Sequence, residues 1–96
     1  MPLYAMIGKD GPRALELRKI HRPAHLAAIE KLHAAGRVRF AGPLLDEFQS
    51  PTGSLVIFEA ESLNRARAIA AGDPYVTEGI FDSWQVHETK AVLDPA

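Results

Sequence analysis

The chain has 96 residues, 47% of them apolar, and carries 11 Lys and Arg against 12 Asp and Glu, a formal net charge of −1. That length suits one domain rather than two. The interspersed, nearly balanced charge leaves neither the basic stripe of a nucleic-acid binder nor a polybasic membrane patch, and the lack of cysteine removes disulfides, thiolate metal sites and a Cys nucleophile together.

The first residues, Met1 to Ile7, are apolar, but the run is short for a signal peptide and has no basic start. No apolar run approaches the roughly 20 residues of a membrane helix, so the expected location is cytoplasmic. Residues 2–8 read as a strand, closed by the turn cluster Gly8-Lys9-Asp10-Gly11-Pro12. Residues 13–22 read as a short helix or an ordered loop. Pro23 disfavours helix at Arg22 and suits the first position of a new helix. That helix is expected from about residue 23 to 35, with Gly36 just past its end. Its apolar stripe is Leu26, Ile29 and Leu32, and His25, four residues before Ile29, lies on or beside the buried face.

Residues 37–44 read as a second strand ending at Gly42-Pro43, and residues 54–60 as a third after a polar, Pro- and Gly-containing connection. Ser62 is a good N-cap for a second helix with the stripe Leu63, Ala66, Ile69 and Ala70, ended by Gly72. Residues 79–89 read as the last strand, with Ile80, Trp84 and Val86 on one side. The order β-α-β-β-α-β predicts an α+β, ferredoxin-like domain, with two helices on one face of a four-stranded antiparallel sheet. The other face should alternate apolar and polar if it meets water. Leu3-Tyr4-Ala5-Met6-Ile7 and Leu55-Val56-Ile57-Phe58 are apolar on both sides instead. A second copy of the same sheet is the economical cover, because a two-fold interface is self-complementary. The expected partner is therefore the chain itself.

With no cysteine, chemistry falls to four His, the acids and the hydroxyls. His21 and His25 have ligand spacing only if the helix continues through Pro23, and no metal-binding motif stands out; neither a metal nor a cofactor is expected. His25 can be a base near neutral pH if a partner fixes its tautomer. On pattern alone, a packing histidine bonded to a backbone carbonyl is the commoner outcome. Gly72-Asp73-Pro74-Tyr75 is fully explained by helix capping, although a capping carboxylate can still offer its second oxygen to an imidazole. His21, His33 and His87 read as surface or boundary residues. Arg18 and Arg22 suit an anionic substrate or nearby acids. Tyr4 and Tyr75 suit a cavity wall, and Tyr4 packing within its strand equally well.

Several segments then stand together: Arg22-Pro23-Ala24-His25-Leu26, Gly36-Arg37, Ala41-Gly42-Pro43, Gly53-Ser54, Glu61-Ser62-Leu63 and Asp73-Pro74-Tyr75-Val76. In order and approximate spacing the chain resembles the YCII-related (YciI-like) family, to about residue 88. The resemblance implies a dimeric α+β barrel and an active site built on a His-Asp pair, here His25 and Asp73. That reverses the odds set by pattern alone. It places Arg22 and Tyr75 near the pocket, and Arg18 at a recurrent arginine. One branch of the family is associated with dehydrochlorination of chlorinated hydroxyhydroquinones, and related barrels include muconolactone isomerases. The expected function is therefore proton transfer on a cyclic or hydroxylated aromatic small molecule. His25 and Asp73 would be catalytic, and Arg18, Arg22, Tyr75 and Tyr4 would hold the substrate. The alternative is a non-catalytic domain binding a small metabolite.

Overall fold

The computed structural model describes residues 1–93. Its elements run β1 (Leu3–Asp10), α1 (Ala14–Ala34), β2 (Val38–Leu45), β3 (Pro51–Glu59), α2 (Leu63–Ala71), α3 (Pro74–Thr77) and β4 (Phe81–Thr89). The four strands form one antiparallel sheet in the order β2-β3-β1-β4. This is the expected split βαβ topology, with the single turn α3 added between α2 and β4.

The largest departure from the sequence reading is α1. No break occurs at Pro23, and one 21-residue helix runs through it. A proline inside a helix removes one hydrogen bond and crowds the carbonyl four residues back, at a cost of about 3 kcal/mol or more. Pro23 and Lys19, which carries that carbonyl, are both exposed, so water can satisfy the freed oxygen. Buried residues lie on either side of Pro23: Ala14 packs in the core cluster, and His25 is held by Asp73 and stacked on Tyr75, so both halves are anchored and the axis stays in one piece.

Helix ends follow local chemistry. Gly36, at φ 74°, takes the left-handed position after α1. There the Arg37 N–H donates to Leu32 O at 3.1 Å and the Gly36 N–H to His33 O at 2.9 Å, which closes a Schellman motif. The Ser62 side chain accepts from the Arg65 N–H at 3.1 Å and starts α2, and Gly72 caps its end. Asp73 then caps α3, with Pro74 in the first turn.

Alternation along the strands divides the sheet into two faces. Tyr4 and Met6 of β1, Val56 and Phe58 of β3 and Val86 of β4 are buried under the helices, and with Ala66, Ala70, Tyr75 and Ile80 they form the core. The opposite face carries no helix. Ala5 and Ile7 pair there with Ile57 and Leu55 of β3, and Phe40 pairs with Ile57 from β2. These residues are apolar and half-buried to exposed, with Phe40 at 50% exposure and Ile7 at 39%. Among the described residues no helix is long and apolar enough to cross a membrane.

Candidate active site

β1 and β3 approach closely where α1 begins. A Cβ on Gly53 would stand 2.3 Å from Gly8 O, so only glycine fits there. Its carbonyl accepts from Arg18 Nη2 at 3.0 Å. Arg18 also pairs bidentately with Asp10, at 2.9 Å from Nε and 2.8 Å from Nη2, and reaches Ser54 Oγ at 3.2 Å. Burial opposes the guanidinium's charge, but the Asp10 carboxylate outweighs it and the net shift of Arg18 is upward. Asp10 ends β1 and Arg18 lies one turn into α1, so this fork ties the helix to the sheet. Its forked donors are committed to protein acceptors.

The capping tetrapeptide and α1 meet one layer further in. His25 Nδ1 lies 2.8 Å from Asp73 Oδ1 and 3.0 Å from Oδ2. Asp73 Oδ1 also accepts the Tyr75 N–H at 2.8 Å, so one carboxylate caps α3 and holds the imidazole. Both residues are buried, His25 at 6% exposure and Asp73 at 8%. The Tyr75 ring stacks on the imidazole with centroids 3.7 Å apart and planes 2° from parallel. Phe81 buttresses Tyr75 edge-on at 5.7 Å, and Arg18 Cζ stands 4.9 Å from the Tyr75 centroid. Burial pushes the Tyr75 phenol up, against the opposing pull of Arg18 and Arg22, so it remains a neutral hydroxyl at neutral pH.

A carboxylate only accepts, so the Asp73 contact assigns the imidazole proton to Nδ1. Nε2 is then the basic nitrogen. Among the described residues it has no protein partner, and no fully buried side-chain nitrogen or oxygen lacks one. Nε2 is therefore accessible, on a residue that lines a cavity. That cavity, about 520 Å³, lies between α1 and the β2–β3 strands, with Arg18, Arg22, Ser54, Val56 and Tyr75 also in its wall. Arg22 is exposed and offers a cation at the wall.

The structure thus brings His25, Asp73, Tyr75, Arg18 and Arg22 to one place. Tyr4 is not among them. It is 2% exposed, sits opposite Phe58 and lines neither this cavity nor the one between α1 and α2. Although α1 is continuous, among the described residues His21 and His25 belong to no group of three or more His, Asp or Glu placed to hold an ion. Sequence reasoning missed Asp10 as the partner of Arg18. Nothing in the turn cluster around Asp10 signals that contact, because it depends on where α1 lands.

The YCII-related domain matches residues 2–90. The chain belongs to the YCII-related family. Within it, the chain is 42% identical over 97 aligned positions to the protein YciI of Escherichia coli O6:H1, covering 95% of this chain and 99% of that protein. It is 40% identical to an uncharacterized protein of Haemophilus influenzae, covering 94% of this chain and 98% of the other. Among solved structures, it is similar to 5-chloro-2-hydroxyhydroquinone dehydrochlorinase from Burkholderia phenoliruptrix AC1100, in complex with 2,5-dihydroxybenzoquinone. That match has a TM-score of 0.80 and 32% identity, covering 92% of this chain and 93% of the enzyme. A NIPSNAP domain protein from Burkholderia xenovorans, 13% identical at a TM-score of 0.54 with all of both chains covered, shares the fold alone.

Proposed function

We propose that this YCII-related protein is an acid–base enzyme acting on a hydroxylated, ring-derived small molecule, with loss of chloride from a chlorinated hydroxyhydroquinone as its reaction. The observation that carries the reading is the division of labour on one imidazole. Nδ1 is held by the Asp73 carboxylate, while Nε2 is left unbonded on a residue that lines a cavity of about 520 Å³. That is the arrangement a general base needs, with geometry set before the substrate arrives. The similarity to a dehydrochlorinase supports the choice of substrate class.

In the proposed step, His25 Nε2 takes a proton from a ring hydroxyl. Asp73 keeps the Nδ1 proton in place and stabilises the imidazolium, the role of the acid in a Ser-His-Asp triad, here without a nucleophile. Negative charge gathering on the ring oxygen is offset by Arg22, with the neutral Tyr75 phenol beside it. The imidazolium returns that proton to the chlorine-bearing carbon, giving the keto tautomer; a second hydroxyl proton is then taken as the carbon–chlorine bond breaks, and chloride leaves with its electron pair. The ring loses one proton and one chloride and becomes a hydroxyquinone, so atoms and electrons balance without an outside oxidant.

The assay is chloride release from 5-chloro-2-hydroxyhydroquinone, kept under anaerobic conditions. Catalysed release is the expected result. Saturable binding without release would establish the metabolite-binding alternative, and absence of both would remove this substrate class.

We also infer that the functional unit is a homodimer joined through the helix-free sheet face. Ala5, Ile7, Phe40, Leu55 and Ile57 form a contiguous apolar surface there, and a monomer rarely leaves such a patch to water. The expected mass by analytical ultracentrifugation is twice that of the chain. Ile57→Lys, which puts a charge at the centre of the face, is expected to give a folded monomer; an unchanged mass would place the interface elsewhere.

A further inference from the structure

We propose that a second cavity, between α1 and α2, is a binding site for a small amphipathic monocarboxylate with an aliphatic or aromatic body. The cavity exists because α1 packs on α3, while small residues, Ala28 on α1 and Ala68, Ala70 and Gly72 at α2, line the gap towards α2. The resulting space is about 340 Å³, with Met6 and Phe58 of the sheet and Leu32 and Ile69 of the helices among its walls. It adjoins the His25 cavity across Ile29 and Val56, which line both, but His25 lines only the first and Asp73 only the second.

The polarity of the lining selects the ligand. Two exposed cations, Lys31 and Arg65, join a lining that is apolar apart from Asp73. Among the described residues Lys31 makes no side-chain hydrogen bond or ion pair. Its helix neighbours three and four positions away are Ala27, Ala28, Ala34 and Ala35, so no acid on α1 competes for it. Among the described residues the Arg65 side chain makes only a 3.9 Å ion pair with Glu61, whose other oxygen accepts from Arg37 at 3.0 Å. The one acid in the lining, Asp73, is 8% exposed, and its carboxylate is committed to His25 and the Tyr75 N–H. A ligand that buries an apolar body and leaves one negative charge between Lys31 and Arg65 satisfies every surface of the site. A neutral apolar molecule leaves both cations unpaired, and a cation meets two like charges.

The test is titration of the full chain with octanoate, followed by ¹⁵N chemical shifts, with octanol as the same tail without the charge. Saturable shifts at Ala28, Leu32, Ala68 and Ile69 are expected, with octanol binding about tenfold more weakly. The double variant Lys31→Glu/Arg65→Glu changes two exposed residues and is expected to weaken octanoate by at least about tenfold while leaving octanol unchanged. Ala68→Phe, also at an exposed position, fills the gap and is expected to abolish binding of both. Absence of saturable shifts overturns the proposal. So do shifts centred on His25 and Tyr75, equal affinity for octanol and octanoate, or octanoate binding that survives either variant. None of these readouts depends on turnover, so the result stands apart from the fate of the His25 reading.

Discussion

His25→Ala is expected to lower chloride release by about 10²–10⁴-fold, the contribution a positioned acid–base group makes. Nε2 is the only imidazole nitrogen left for substrate once Nδ1 is bonded to Asp73, and alanine supplies no replacement. The same substitution removes the partner of a buried carboxylate and the ring stacked on Tyr75. A stability loss of about 1–3 kcal/mol should therefore accompany it. His25→Gln separates the two effects. A glutamine amide can still donate to Asp73 but cannot take up a proton, so its melting temperature should recover while chloride release stays low. Turnover at the parent rate in a folded His25→Ala protein would end the catalytic reading.

Asp73→Asn should cost comparably in rate and little in stability. Asparagine caps helices about as well as aspartate, so the bond from the Tyr75 N–H that starts α3 survives. The charge that steadies a protonated imidazole does not. If the new NH₂ faces His25, it also forces the proton onto Nε2, the wrong tautomer for a base. A loss of about 10²–10⁴-fold in chloride release is expected, up to the scale seen when the acid of a catalytic triad becomes an amide. Asp73→Ala adds the lost cap, about 1 kcal/mol by thermal or urea unfolding. Parent activity in Asp73→Asn, with only the alanine variant destabilised, would leave Asp73 a purely structural residue.

The two substitutions probe one carboxylate with two roles, and those roles differed in how far sequence exposes them. Capping is local. Asp73 precedes Pro74 and closes a bond to a residue two positions on, so the tetrapeptide itself announces it. The contact with His25 spans 48 positions and leaves no mark in residue spacing. The periodicity of α1 placed His25 near the buried face correctly, yet by itself it favoured an inert packing histidine. The family resemblance, carried by several short segments in register, selected Asp73 as its partner.

Pro23 shows the opposite failure, where a strong local signal was overruled. Its cost is real, but it is confined to the exposed face of α1, where the freed carbonyl is open to water. The core packing of Ala14 and the contacts of His25 with Asp73 and Tyr75 outweigh it. Propensity describes an isolated segment, whereas a helix resting on a sheet has packing along its whole length.

By itself the sequence determined the order of the strands and the two main helices, the C-terminal end of α1, both ends of α2 and the apolar character of both sheet faces. Each of these depends on residues a few positions apart, through capping, glycine at positive φ and strand alternation. It also excluded cysteine chemistry. Only the tertiary structure decided which nitrogen of His25 is free and that Tyr75 clamps its ring. It likewise decided that Arg18 is committed to Asp10, that Tyr4 is core, and that two cavities meet across Ile29 and Val56. Those outcomes depend on where α1 and α3 land on the sheet, a sum of many weak contacts between distant residues that no short segment encodes.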